Sequence, residues 1–222
     1  MTVVGLDGCA SGWIVAVLGA DRLVRVDHVP TIGALADLVP DATVAAIDIP
    51  MTFPPVGTTR AAELAARARL GARRSSIFLT APRAVLACDT YAEANALAKV
   101  THGAGLSAQA YQLRSKILEV EEWRAATTLP AHEVHPELSF AVLLDHPARH
   151  SKKTWAGMVE RRDALAAAGL EVDAVSTDAG RAAVDDVLDA VAAAWTAARI
   201  ARGDAERVPA DRAVPDSECI WA

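Results

Sequence analysis

The chain has 222 residues, and 22 Lys and Arg against 28 Asp and Glu leave a formal charge of −6. Hydrophobic residues make up 52% and charged residues 23%, usage that excludes disorder as the main state and suits one compact domain with a sizeable core. Three cysteines, Cys9, Cys88 and Cys219, form neither a disulfide framework nor a metal knuckle, so a reducing cytoplasm is the expected location. Met1 to Asp7 reaches an acid before any signal-peptide core, and no apolar run approaches the roughly 20 residues that cross a bilayer.

Charge is unevenly spread: Arg60 to Arg83 carries net +5, Arg149 to Arg162 net +4, and the remainder −15. Basic surfaces around an acidic centre would suit a polyanionic substrate, although two basic helix faces on an acidic protein explain the same counts.

In chain order, Val3–Leu6 and Trp13–Leu18 read as apolar strands, and Leu23–Val29 alternates with period two. Gly19-Ala20-Asp21 suits the hairpin turn between the second and third strands. Thr31 is placed to cap a short helix through Leu38, stopped by Pro40, and Thr43–Ile49 reads as a fourth strand. That order describes an α/β domain with a mixed sheet.

Residues from about 51 to 130 read as a mostly helical insertion after the fourth strand. One helix is expected over Arg60–Leu70 with Gly71 at its C-terminal cap. A second starts at the Thr90-x-x-Glu93 capping box, and a third spans Ser107–Trp123. His135-Pro136-Glu137 turns a strand end into a helix, and a basic helical region runs to Gly169. The final helix, Val184–Ala201, carries an apolar stripe at Val187, Leu188, Val191, Ala192 and Trp195.

Chemistry is expected where acids sit against this apolar framework. Asp7 ends the first strand, and Asp48 is embedded in the apolar fourth strand; if those strands are neighbours, two like charges approach and call for a divalent cation. A turn-mouth acid accepting backbone N–H groups is the plain alternative for Asp7. Asp186 and Asp189 share one side of the final helix by their i, i+3 spacing, while Asp185 suits the helix dipole. Glu137 follows Pro136 in a first helical turn and would join chemistry only by sharing a metal. His132 and His135 lack zinc-site spacing, and no phosphate-binding glycine loop, dinucleotide fingerprint or nucleophile elbow is present.

These residues carry a resemblance. Asp186-Val187-Leu188-Asp189-Ala190 is similar to the metal-binding helix of RuvC-type Holliday-junction resolvases. The whole chain resembles the domain of unknown function 429 family, described as predicted RNase-H-like nucleases. It does so through Gly5-Leu6-Asp7-Gly8-Cys9 with Gly12-Trp13, Ile47-Asp48-Ile49-Pro50, Leu70 to Phe78, Lys116 to Val120, His135 to Phe140, Ser151-Lys152-Lys153-Thr154 with Gly157, and Asp185 to Ala190.

The resemblance implies an RNase-H-like mixed β-sheet flanked by helices as a single domain over 1–222. It also implies a nuclease in which two Mg²⁺ or Mn²⁺ ions promote phosphodiester hydrolysis of DNA or RNA. Asp7 would bridge the ions, Asp48 and Asp186 or Asp189 would hold one each, and Glu137 would add a ligand or orient water. Arg73, Arg74, Lys116, Lys152 and Lys153 would hold phosphates. Two other readings stand beside it: a Mg²⁺-dependent protein binding a nucleotide or phosphorylated metabolite on the same fold, and a non-enzymatic binding module in which Trp123, Trp155 or Trp221 meets a partner.

Overall fold

A computed structural model describes residues 1–20, 22–174, 179 and 182–222. Strands β1 (Thr2–Cys9), β2 (Gly12–Gly19) and β3 (Arg22–Val29) form an antiparallel meander. A 3₁₀ turn at Ile32–Ala34 and a one-turn helix α1 (Leu35–Leu38) return the chain to β4 (Ala42–Ile47), which pairs with β1 in parallel. Thr31 precedes that turn without a side-chain cap, so the expected short helix is held by packing of Ile32 and Leu35. Asp21, expected in the β2–β3 turn, lies outside the described residues.

The insertion between β4 and β5 (Ala131–Glu133) comprises α2 (Ala61–Leu70), a 3₁₀ segment at Gly71–Ser76, α3 (Arg83–Leu86), α4 (Tyr91–His102), α5 (Ala108–Gln112) and α6 (Arg114–Ala126). The capping box at Thr90 forms in full: its hydroxyl accepts from the Glu93 N–H, and the Glu93 carboxylate accepts from the Thr90 N–H. The single helix expected over Ser107–Trp123 is instead two, broken at Leu113, whose carbonyl accepts from the Ile117 N–H while its own N–H donates to the Tyr111 carbonyl.

β5 adds to β4 in parallel, completing a five-stranded mixed sheet in the order β3-β2-β1-β4-β5. Helices α7 (Pro136–Leu143), α8 (Trp155–Ala167) and α9 (Val184–Arg202) follow, and β6 (Arg207–Val208) and β7 (Ile220–Trp221) pair as a small ribbon beside β5.

The period-two alternation of strands decides which side chains meet. Val3, Ile14, Ala16, Val26 and Ala46 face α9, whereas Val4, Leu6, Trp13, Val15 and Ile47 face α1 and α6 on the opposite side. On the α9 side the alternation continues through Gly5 to Asp7 on β1, and through Ala46 to Asp48 just past β4. Both acids therefore emerge at the same end of neighbouring parallel strands. The α9 face against the sheet is nearly all alanine, with Ala190, Ala193, Ala194 and Ala197 fully buried, so the helix lies close to the strands. Among the described residues no helix is long and apolar enough to cross a membrane.

Candidate metal centre

Asp7, Asp48 and Asp189 each offer a carboxylate oxygen within 4.8 Å of the others. Asp48 arrives beside Asp7 because the Asp48 N–H donates to the Leu6 carbonyl at 2.9 Å, extending the β1–β4 pairing one residue past the strand. Asp189 reaches them from α9, one turn beyond Asp185. The three carboxylates sit on the floor of a cleft of about 460 Å³. The insertion contributes Arg73, Ser75, Phe78, Gln109 and Lys116 to its lining.

Electrostatics mark the cluster as short of positive charge. Burial, and then the charges of Asp48 and Asp189, push the Asp7 carboxyl well above the usual range. Burial likewise raises Asp189 to about 6, against the pull of Lys152 and with a push from Asp48. Neither Asp7 nor Asp48 has a side-chain hydrogen bond or ion pair among the described residues, although Asp7 is only 6% exposed. A buried, unpaired Asp7 repelled by the half-buried Asp48 and by Asp189 is the situation a cation relieves. The donors are all carboxylate oxygens, with no thiolate or imidazole, which fits Mg²⁺ or Mn²⁺.

The remaining expected acids line the same cleft but are differently engaged. Glu137, in the first turn of α7, is buried and ion-paired at 2.6 Å with Arg161, which is fully buried; its other oxygen, Oε2, is buried without a hydrogen-bond partner. Asp186 is half-buried, and its carboxyl is raised by burial and by Asp185. Asp185, assigned from sequence to the helix dipole, is buried and pairs with Lys153 at 2.6 Å.

Of the expected basic residues, Lys152 donates to Asp189 Oδ2 and lies 3.8 Å from Asp185. Burial works against the Lys152 charge, but the carboxylates of Asp189, Asp7 and Asp48 outweigh it and hold its pKa above the ordinary value. Lys116 reaches the cleft with its ammonium 4.7 Å above the Trp13 ring and 3.5 Å from Glu119. Arg73 lines the cleft and donates through Nε to the Ala148 carbonyl. Arg74 is exposed and does not line it.

Much of the basic charge between Arg60 and Arg83 is consumed internally. Arg60 is buried and bonds both oxygens of Glu133 and one of Glu63; Glu133 also accepts from the Met51 N–H, and Glu63 from the Thr80 N–H. Sequence reading did not single out this network, which ties α2 and the segment after β4 to β5 along the cleft. Its available signals were Glu63 three residues after Arg60 and an acid, Glu133, between His132 and Val134 at the end of β5. His135 contributes from the α7 N-cap, where Nδ1 accepts from the Glu137 N–H and Nε2 donates to the Ser76 carbonyl, an arrangement consistent with one ring tautomer.

Nothing among curated proteins and nothing among solved structures matches this chain. Residues 5–214 match the family described as Protein of unknown function (DUF429), and the chain belongs to that family.

Proposed function

We propose that this protein is a divalent-metal-dependent phosphodiesterase acting on nucleic acid, with Asp7, Asp48 and Asp189 as the metal-holding residues. The observation that carries the reading is the convergence of these three carboxylates, from two parallel strands and a helix, within 4.8 Å at the floor of a cleft. The order of elements, an acid-bearing strand, a hairpin, a second acid-bearing strand and an acid-bearing final helix, supports the likeness to RNase-H-like nucleases.

A bound Mg²⁺ or Mn²⁺ supplies Lewis acidity toward a phosphoryl oxygen and activation of an attacking water. The chain's own residues would do the rest. Asp7 and Asp48, fixed by strand pairing, hold their carboxylates at one point without rearrangement. Lys152 and Arg73, which both line the cleft, would offer positive charge to a phosphodiester. Asp186, half-buried and lining the same cleft, would hold metal or orient water there.

The size of the cleft favours a second reading that shares the metal site. About 460 Å³ lies within the range of small-ligand sites, and the insertion walls the acids on one side, which suits a nucleotide or phosphorylated metabolite. Hydrolysis assays with Mn²⁺ against EDTA test both readings, using single-stranded, duplex and branched DNA and RNA beside mononucleotides. Oligonucleotide cleavage by the wild type that is lost in Asp7→Asn supports the nuclease. Cleavage of mononucleotides alone moves the assignment to the second reading. Equal cleavage by wild type and Asp7→Asn rejects the site.

A further inference from the structure

The carboxylates around the cleft fall into two sets. Asp7 and Asp48 have no side-chain hydrogen bond or ion pair among the described residues, and they share with Asp189 the 4.8 Å cluster. On the other side three acids hold a cation of the protein at one oxygen each, Asp189 Oδ2 by Lys152, Asp185 Oδ2 by Lys153 and Glu137 Oε1 by Arg161, while Glu137 Oε2 and the half-buried Asp186 carry none among the described residues. A second divalent ion sharing Asp189 with the first, roughly 3.5–4 Å away, would meet the Lys152 ammonium already seated on Asp189 Oδ2.

Lys152 is no loose surface lysine. The loop that carries it is clamped to α8: Glu160 accepts from the N–H groups of Arg149 and His150, Arg161 donates to the His150 carbonyl, and the Thr154 hydroxyl donates to the Ser151 carbonyl. Gly157 permits the clamp, since a Cβ there would stand 2.0 Å from the Ser151 carbonyl oxygen. The side chain is 34% exposed, enough to meet a substrate while its ammonium stays on Asp189. Three clustered carboxylates carry −3 and Lys152 returns +1, leaving the charge that one divalent ion neutralises.

We infer that this centre takes a single divalent cation, bound by Asp7, Asp48 and Asp189, and that the Lys152 ammonium fills the place a second ion would occupy. The inference rests on the proposed metal centre and replaces the two-ion arrangement that the family resemblance implies. The anion matched to it is a single phosphodiester or phosphomonoester, set between one metal ion and one fixed ammonium.

The test is the number of Mn²⁺ ions bound per chain, read from the loss of the free-ion paramagnetic resonance signal, in wild type, Lys152→Met, Lys152→Arg and Asp7→Asn. Melting curves confirm that each variant folds. The expected counts are one for wild type and Lys152→Arg and two for Lys152→Met, with Asp7→Asn losing at least tenfold in affinity. Two ions in wild type, or one in a folded Lys152→Met, would overturn the assignment of Lys152 while leaving the metal centre intact. Uptake by none of the proteins would overturn both. If Lys152→Met does not fold, the wild-type count alone decides between one ion and two.

Discussion

Gly5 lies against Ala194 so closely that a Cβ on the glycine would stand 2.0 Å from the Ala194 backbone nitrogen and 2.3 Å from the Ala190 carbonyl oxygen. The final helix therefore rests on the backbone of the central strand. Two residues along the strand is Asp7, and one residue before Ala190 is Asp189, so this contact sets the spacing of the acids. Gly5→Ala should push α9 off the sheet. Overpacking of this kind costs about 1–3 kcal/mol, and backbone on both sides leaves little room to relax. Urea denaturation measures the loss, and a variant as stable as wild type would show that α9 is not seated as described.

The pH dependence follows from Asp189, whose carboxyl is raised from 3.8 to about 6. Because the folded value lies above the unfolded one, the native state keeps a proton that the unfolded chain releases across this window. Metal-free stability is therefore lost as pH rises from 3.8 through about 6, and Asp189→Asn, which lacks this titration, should gain on wild type over the same interval. The full swing is on the order of 3 kcal/mol. Mn²⁺ competes with that proton, so its stabilising effect should fade as pH falls through about 6. Thermal melts across pH, with and without Mn²⁺, measure both trends; a Mn²⁺ effect that grows on acidification would contradict them.

Arg161 and Glu137 form a buried pair at 2.6 Å, with the arginine fully buried. Removing one partner strands a charge, so Arg161→Met should cost about 3–5 kcal/mol, and adding Glu137→Gln should recover a large part of it. A double-mutant cycle by chemical denaturation gives the coupling. If Arg161→Met alone costs nothing measurable, the pair is not desolvated as the geometry requires.

The capping box at Thr90 lies far from the acids in the chain and serves as a contrast. Thr90→Ala should lower stability by about 1 kcal/mol through the lost N-terminal hydrogen bond of α4. Mn²⁺ affinity should be unchanged. Affinity that falls together with stability would mean that α4 and the metal centre are coupled.

The framework was legible where local pattern is physically sufficient. Apolar runs marked β1, β2 and β4, alternation marked β3, the apolar stripe marked α9, and the acids interrupting these patterns at Asp7, Asp48 and Asp189 stood out because burial of a lone carboxylate is costly. Spacing alone put Asp186 and Asp189 on one side of a helix without ranking them, since only the approach of α9 to β1 makes Asp189 the buried one. The Arg60–Glu133 bond joins residues 73 apart and the Lys152–Asp189 bond residues 37 apart, and no local period encodes such pairs. The break at Leu113 was hidden for another reason: it interrupts a helical sequence pattern without a glycine or proline to mark it.

The most direct test of the central claim is the melting temperature of wild type and Asp7→Asn across a Mn²⁺ titration, with EDTA as the reference. A cation held by Asp7, Asp48 and Asp189 stabilises the native state by about 2.7 kcal/mol at a hundredfold excess over its dissociation constant. A saturable rise is expected in wild type and is absent in Asp7→Asn. Equal rises in the two proteins, or no rise in either, would contradict it.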